Sequence, residues 1–272
     1  MFGLQKRIIL CQKLNCSINA LNKCTTVFQE LGQHHFPLRR SVSAISNSLE
    51  YKMIEPEHYD QVLVHMRKNF FPQEPMNKAA GLCQDGEVNP NLEQKVLDTM
   101  EDNLSLMAVD PDPDCCKIAG VVVNGILRPG DTAKALKDLE RSCDLGFRNM
   151  FTMIYCLFIN NDLFKKFDVD CIFDVRKLSV DSSYRGRGIG NELIKQSMAL
   201  AKKKGFSLMK TDSTGVYSQK IFHSLGFEVH AEQSYDEYTD DNGQMILPVE
   251  APHTKLELLY KQISEGTEDE QN

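Results

Sequence analysis

The sequence has no apolar run long enough to cross a bilayer, for which a helix needs about 20 residues. None of its nine cysteines, at 11, 16, 24, 83, 115, 116, 143, 156 and 171, forms a Cys-x-x-Cys pair. Zinc-ribbon and thioredoxin chemistry therefore lack a ligand set, and the odd count favours free thiols in a reducing compartment over a disulfide framework. The seven histidines show no metal spacing. His58 and His65, seven apart on one helical pattern, read as a solvated face, so no metal is expected. There is no internal repeat and no Gly-x-x-x-x-Gly-Lys-Ser/Thr phosphate loop. Net positive charge is missing too. The chain is formally −7, which argues against nucleic acid as a partner.

What is present suits a soluble globular protein. At 272 residues, with 42% apolar and 25% charged residues, the chain supports one large domain with extensions. Charge is uneven. Residues 1–49 carry Lys6, Arg7, Lys13, Lys23, Arg39 and Arg40 against Glu30 alone, so +5, and the remainder carries −12. Such an acidic domain suits a cationic small molecule such as an amine. The basic extension contains Ser41, Ser43, Ser46 and Ser48 and lacks Asp. It reads either as a mitochondrial presequence or as a disordered tail. Residues 264–272, with four acids, read as a solvated tail. The expected organisation is thus an extension at 1–49, a domain at 50–263 and a tail at 264–272. The protein is expected to be a monomer in the cytoplasm, with mitochondria as the alternative, and without membrane partners.

The periodic pattern begins at residue 53. Glu55-Pro56-Glu57 is a helix start, after which Tyr59, Val62, Leu63, Met66 and Phe70 share one face. A second helix is predicted over Leu92–Asn103. Strands are predicted at Leu104–Asp110 and Lys117–Arg128, joined by a turn at Pro111–Asp114. Helical patterns follow from Asp131 through Leu145 and from Phe147 to Phe167. Then come a strand from Cys171 to Val180, a helix over Gly188–Lys204 and a strand at Ser207–Asp212. A short helix at Tyr217–Ser224 and a strand at Gly226–Tyr235 precede a turn signal at Asp240–Gly243. A last strand at Lys255–Tyr260 closes the sheet. Strands flanked by helices imply a mixed α/β sheet with a ligand loop at a strand end.

That loop is Arg185-Gly186-Arg187-Gly188-Ile189-Gly190. Glycines let the backbone approach a ligand closely, and the mouth of a helix offers amides and a positive dipole end to an anion. The spacing is one residue too tight for the dinucleotide fingerprint. Arg-x-x-Gly-x-Gly after a strand ending in Leu178-Ser179-Val180 resembles the coenzyme A pyrophosphate loop of the GNAT superfamily of N-acetyltransferases. The resemblance implies that Arg185, Gly186, Arg187, Gly188, Ile189 and Gly190 bind acetyl-CoA, used as a co-substrate. It also implies that the backbone of Leu178, Ser179 and Val180 pairs with the pantetheine arm. The fold implied is the GNAT acyl-CoA N-acyltransferase fold, a mixed central sheet flanked by helices.

Phe70-Phe71-Pro72-Gln73-Glu74-Pro75-Met76-Asn77 contains one acid, Glu74, at a helix end among aromatics and prolines. Apolar surroundings would raise its pKa and make it a base near neutrality; a loop glutamate without a role is the alternative. The run Phe-Phe-x-x-Glu-Pro-x-Asn closely resembles the catalytic segment of insect-type arylalkylamine N-acetyltransferases, the dopamine N-acetyltransferase type. Further stretches agree, in order: Gly120-Val121-Val122-Val123-Asn124-Gly125, Leu178–Asp181 with Tyr184-Arg185-Gly186, Tyr217-Ser218 and Ala251-Pro252-His253. Residues 51–262 are covered.

The resemblance makes Glu74 the general base, acting through ordered water, and places Ser218 near the cofactor sulfur. Thr214 stands where the family often has a second serine. Pro75 lies beside the base, His253 lines the amine pocket, and the resemblance implies that both bind the amine substrate. Two positions depart from pattern. Many GNAT enzymes have a tyrosine general acid where Phe222 stands, and phenylalanine donates no proton, so the thiolate leaves unassisted or with help from water or Ser218. Gln73 replaces an acid, which removes the charge partner of Arg185. Structural roles compete for some of these residues. Ser218 could cap a helix, His253 could be a packed residue leading into the last strand, and Phe70 and Phe71 could be core. The expected activity is acetyl transfer from acetyl-CoA to amines such as dopamine, serotonin or tyramine. The alternatives are a GNAT enzyme for polyamines or agmatine, and a non-catalytic CoA-binding regulator.

Overall fold

In the computed structural model, which describes residues 49–83, 86–111 and 117–263, the chain enters through a strand that its composition hides. β1 (Glu50–Met53) has no β-branched residue and alternates exposed with half-buried positions, so only its pairing with β2 (Leu106–Val109) marks it as a strand. The expected extension apart from Leu49, the acidic tail and most of the turn at Pro111–Asp114 lie outside the described residues.

Antiparallel pairing continues from β2 to β3 (Ile118–Leu127) and from β3 to β4 (Ile172–Val180). The Val121–Val123 run of β3 is buried on both faces: Val121 and Val123 point into one apolar core, Val122 into another. The order β1-β2-β3-β4-β5-β7-β6 is completed by β5 (Leu208–Ser213), β6 (Glu228–Ser234) and β7 (Lys255–Gln262). The final strand therefore does not close the sheet at its edge; it inserts between β5 and β6. Leu256, Leu258 and Leu259 are buried, whereas β6 is at most half-buried, so the more apolar strand takes the inner place.

Helices cover both faces. On one face lie α1 (Tyr59–Asn69), the short α2 (Pro75–Ala79), α3 (Pro90–Met100) and α5 (Leu145–Asn160), preceded in the chain by α4 (Asp131–Leu139). The helical stretch expected over 131–167 is in fact three helices, ending with α6 (Leu163–Phe167). The breaks fall at aspartates, each of which caps the next helix. Asp144 accepts from Phe147 N at 3.0 Å and Asp162 from Phe164 N at 3.0 Å. The opposite face carries α7 (Ile189–Lys203) and α8 (Val216–Ser224). No helix among the described residues is long and apolar enough to cross a membrane. The described cysteines Cys83, Cys143, Cys156 and Cys171 are free.

Two irregularities create the site. β4 bulges at Arg176, because Val123 pairs with Lys177 but Asn124 already pairs with Val175. The extra residue shifts the alternation of β4, so Asp174 and Lys177 line the same cavity. Secondly, β4 and β5 pair in parallel only from Phe173–Met209 to Val175–Thr211. Past that point β4 runs on, paired to β3 alone.

Candidate active site

The separation of β4 from β5 leaves the outer backbone edge of Leu178, Ser179 and Val180 without a neighbouring strand. Only backbone is offered there by Ser179. Its side chain is buried, and its Oγ lies 2.9 Å from Nε2 of His65 on α1. His65 is thus no part of a solvated face. It is 5% exposed and pins the first helix to the cofactor strand. Burial lowers its pKa from 6.5 to about 4, against the pull of Asp181. The folded protein holds His65 neutral while the unfolded chain takes up a proton below about 6.5. The resulting stability is present above that pH and lost as pH falls towards about 4, by about 3 kcal/mol in all. Thermal melts from pH 7 to 4.5 should therefore show a shallower decline for His65→Gln than for the wild type. Parallel curves would show that His65 titrates freely.

The glycine-rich loop follows β4. Asp181 fixes its start, accepting from Ser183 N at 2.9 Å and pairing with Lys117 Nζ at 3.0 Å; together these bonds outweigh burial and hold its pKa well below the usual carboxylate range. Tyr184 donates to Asp110 Oδ2 at 2.7 Å, and Lys117 and Arg187 lie over its ring, 5.3 and 4.9 Å from the centroid. The glycines serve two purposes. Gly186 and Gly188 adopt φ of +75° and +77°, which suits glycine, and Gly188 begins α7 without a side-chain cap. The first-turn amides of α7 therefore have no capping side chain to compete with an anion. Gly190 permits close packing instead: a Cβ there would meet Ile221 Cδ1 at 3.0 Å.

Arg185 donates to Gln73 Oε1 and contacts the Val180 carbonyl at 3.4 Å. Arg185 has no charge partner at residue 73, as expected, but it keeps a hydrogen-bond partner there. A neutral amide replaces a carboxylate, and the link between cofactor loop and base segment persists.

Glu74 sits at the start of α2, with Pro75 as first helical residue. Its carboxylate accepts from Asn77 N at 2.6 Å, Met76 N at 3.2 Å and Thr214 Oγ1 at 2.7 Å. Burial raises its pKa, and these donors and Lys177 lower it; the net direction is upward. Thr214→Val removes a donor that favours the charged carboxylate. The acidic limb of a kcat/KM profile should then move to higher pH with the plateau nearly unchanged, and an unmoved limb would separate Thr214 from the ionisation of Glu74.

Glu74 and Thr214 border a cavity of about 490 Å³ beneath α4 and α5, walled by Phe70, Phe151, Tyr155 and Phe158. The phenylalanine pair divides: Phe71 is core, Phe70 is wall. The floor holds charged residues that pattern reading missed. Lys210 and Asp174 are register partners on β5 and β4. Lys210 Nζ lies 3.1 Å from Asp174 Oδ1 and pairs closely with Asp212, and Arg176 Nε lies 3.0 Å from Asp174 Oδ2. Burial alone would raise the Asp174 pKa, but Lys210 and Arg176 hold it low; burial and Asp174 push Asp212 up. Lys177, beside this cluster, is lowered to about 7 by burial and by Arg176 and Lys95.

Pro75 and His253 do not line this cavity. They line an adjoining groove of about 390 Å³ with Gln73, Lys78 and Glu250. His253 Nδ1 accepts from Val216 N at 3.1 Å and so caps α8. A Cβ on Gly215 would lie 3.3 Å from both His253 and Pro75. Ser218 is no cap: its hydroxyl donates back to the Gly215 carbonyl at 2.9 Å and lies 2.7 Å from Ser213 Oγ. Phe222 is buried against Phe227, centroids 5.0 Å apart, with no proton to give. Among the described residues no His, Cys, Asp and Glu cluster is arranged to hold a metal ion.

The sheet that carries the splayed parallel pair and the uncapped glycine-rich helix start has the GNAT fold. The family model described as "Acetyltransferase (GNAT) domain" matches residues 154–229. Arylalkylamine N-acetyltransferase 2 from Aedes aegypti is 43% identical; the match covers 80% of this chain and 100% of that one, with a TM-score of 0.77. The chain belongs to the arylalkylamine N-acetyltransferase family. Two solved structures share its fold at lower identity. Mosquito arylalkylamine N-acetyltransferase like 5b is 22% identical, covering 79% and 100% of the two chains, with a TM-score of 0.70. The Drosophila melanogaster polyamine N-acetyltransferase is 18% identical, again over 79% and 100%, also at 0.70.

Proposed function

We propose that this protein transfers the acetyl group of acetyl-CoA to the primary amine of an arylalkylamine of the dopamine, serotonin or tyramine type. The observation that carries this reading is Glu74: a carboxylate with raised pKa, immobilised by three donors, beside an aromatic-walled cavity. The chain also shares 43% identity with an arylalkylamine N-acetyltransferase over that enzyme's full length.

The residues fit the co-substrate. Gly186–Gly190 offers positive-φ glycines and unblocked amides to a pyrophosphate, flanked by Arg185 and Arg187. The free edge of Leu178–Val180 offers hydrogen bonds to an amide-bearing arm and to a thioester carbonyl. Acetyl-CoA supplies the acetyl thioester. Glu74 takes the ammonium proton, directly or through water, and the neutral amine attacks without a covalent enzyme intermediate. With Phe222 unable to donate, a proton for the departing thiolate comes from water or from the Ser218 hydroxyl. Acetyl-CoA binds first, and the Arg185–Gln73 bond relays its arrival to the segment bearing Glu74. Pro75 and His253 support this segment and the start of α8 from the adjoining groove.

Thiol release measured across a panel of arylalkylamines tests the reading. Turnover with tyramine or serotonin is expected, and binding of CoA with no turnover on any amine would leave only the regulator.

A further inference from the structure

The cavity beside Glu74 changes sign from mouth to floor. The exposed carboxylates that line it are Asp98, Asp131 and Asp138, the last also 3.7 Å from Arg141 Nη1, and Lys134 is exposed among them. Inside, the carboxylates other than Glu74 are Asp174 and Asp212, and both are already engaged by Lys210, with Arg176 on the second oxygen of Asp174. Two cations remain. Lys95 Nζ lies over the rings of Phe151 and Tyr155, 5.0 and 5.6 Å from their centroids. Lys177 makes no hydrogen bond or ion pair among the described residues, yet its side chain lines the cavity.

We propose that Lys177, backed by Lys95, makes the cavity floor a filter against a second positive charge. The substrate carries one ammonium, presented to Glu74, and an uncharged ring; diamines, polyamines and agmatine are refused. This rests on Glu74 being the base.

The charge order explains how one cavity attracts amines and still rejects some of them. Rim carboxylates are exposed and screened, so they steer any cation inward without holding it. A second cation deeper in finds no carboxylate without an ion-pair partner, and the oxygens left without a hydrogen bond, Asp174 Oδ1 and Asp212 Oδ1, are buried. It meets Lys177 and Lys95 instead, in surroundings where like charges repel more strongly than in water. Burial and the neighbouring cations push Lys177 down to about 7, so the filter acts while Lys177 holds its proton and should weaken as pH rises above about 7. An aromatic ring has no such conflict. It packs on Phe151, Tyr155 and Phe158, and its electron-rich face accepts the cation of Lys95. Specificity here comes from a repulsive element as much as from an attractive one.

The test compares kcat/KM for tyramine, agmatine and 1,4-diaminobutane in the wild type, Lys177→Met, Lys177→Glu and Lys177→Arg. The wild type should favour tyramine by about 100-fold or more over either dication, the scale available when a site leaves a charge unpaired. Lys177→Met should narrow that ratio by about tenfold, Lys177→Glu further, and Lys177→Arg should retain it. Lys177 also acts on Glu74, so absolute rates will change, but a ratio between amines cancels that contribution. Melting curves and acetyl-CoA calorimetry establish that each variant is folded. An unchanged ratio in folded Lys177→Met, or a wild type that prefers either dication, overturns the filter and leaves acetyl transfer intact. No thiol release from the wild type with any amine would remove the acetyltransferase reading itself, and the filter with it.

Discussion

Glu74→Gln is expected to lower kcat by about two to four orders of magnitude, the usual worth of a general base. At neutral pH the amine arrives as an ammonium, which has no lone pair for a thioester. Glutamine nearly preserves the shape of the side chain, but Asn77 N donates to one carboxylate oxygen and Met76 N and Thr214 to the other, so its single amide oxygen keeps one side of this set and a melting curve must establish that the segment stays folded. Basicity is removed together with one acceptor. Acetyl-CoA affinity should be nearly unchanged, because the Gly186–Gly190 loop makes its own contacts. The acidic limb of the wild-type profile, set by a carboxylate whose pKa is raised, should vanish in the variant. Turnover close to wild type in folded Glu74→Gln would mean that the proton leaves by another route, with Lys177 a candidate lining the same cavity.

The second large effect concerns Gly188. Its φ of +77° lies where a β-branched residue costs on the order of 1–3 kcal/mol. A Cβ built there meets no protein atom within 4 Å, so Gly188→Val should fold. The damage falls on the ligand side. Valine relieves its strain by leaving the left-handed region, which turns the first amides of α7 away from their common focus. The Michaelis constant for acetyl-CoA should rise about 10- to 100-fold, equivalent to about 1.4–3 kcal/mol, while that for the amine changes far less. Calorimetry showing unchanged CoA affinity in the folded variant would detach the loop from cofactor binding.

Both effects fall on features legible in the sequence, because both are local. A strand, three closely spaced glycines and an amphipathic helix can be recognised without knowing what packs against them. Glu74 is legible as the one acid among aromatics and prolines, but the short helix Pro75–Ala79 that it caps is not expected from the pattern, whereas the helix start at Glu55-Pro56 is. What stayed hidden depends on residues brought together from afar. His65 and Ser179 are 114 positions apart, and nothing in a helical pattern distinguishes a buried histidine bonded to a strand from one facing water. The Asp174–Lys210–Asp212 cluster requires the parallel register of β4 and β5. The bulge at Arg176 moves Lys177 onto the cavity side, where strict alternation would have put it elsewhere. Pro75 and His253, carried over as amine-pocket residues, lie in an adjoining groove, since proximity to Glu74 in the chain does not fix which side of its backbone a neighbour faces. The place of β7 inside the sheet follows from burial competition between two strands, which order along the chain does not reveal.

The most direct measurement is a reaction with acetyl-CoA carrying a labelled acetyl group and tyramine, followed by mass spectrometry of small molecules and protein. The account predicts N-acetyltyramine and free CoA in equal amounts, with no label on the protein and product almost absent in Glu74→Gln. Label retained covalently on the protein, or CoA released by hydrolysis with no N-acetylated amine, would contradict it.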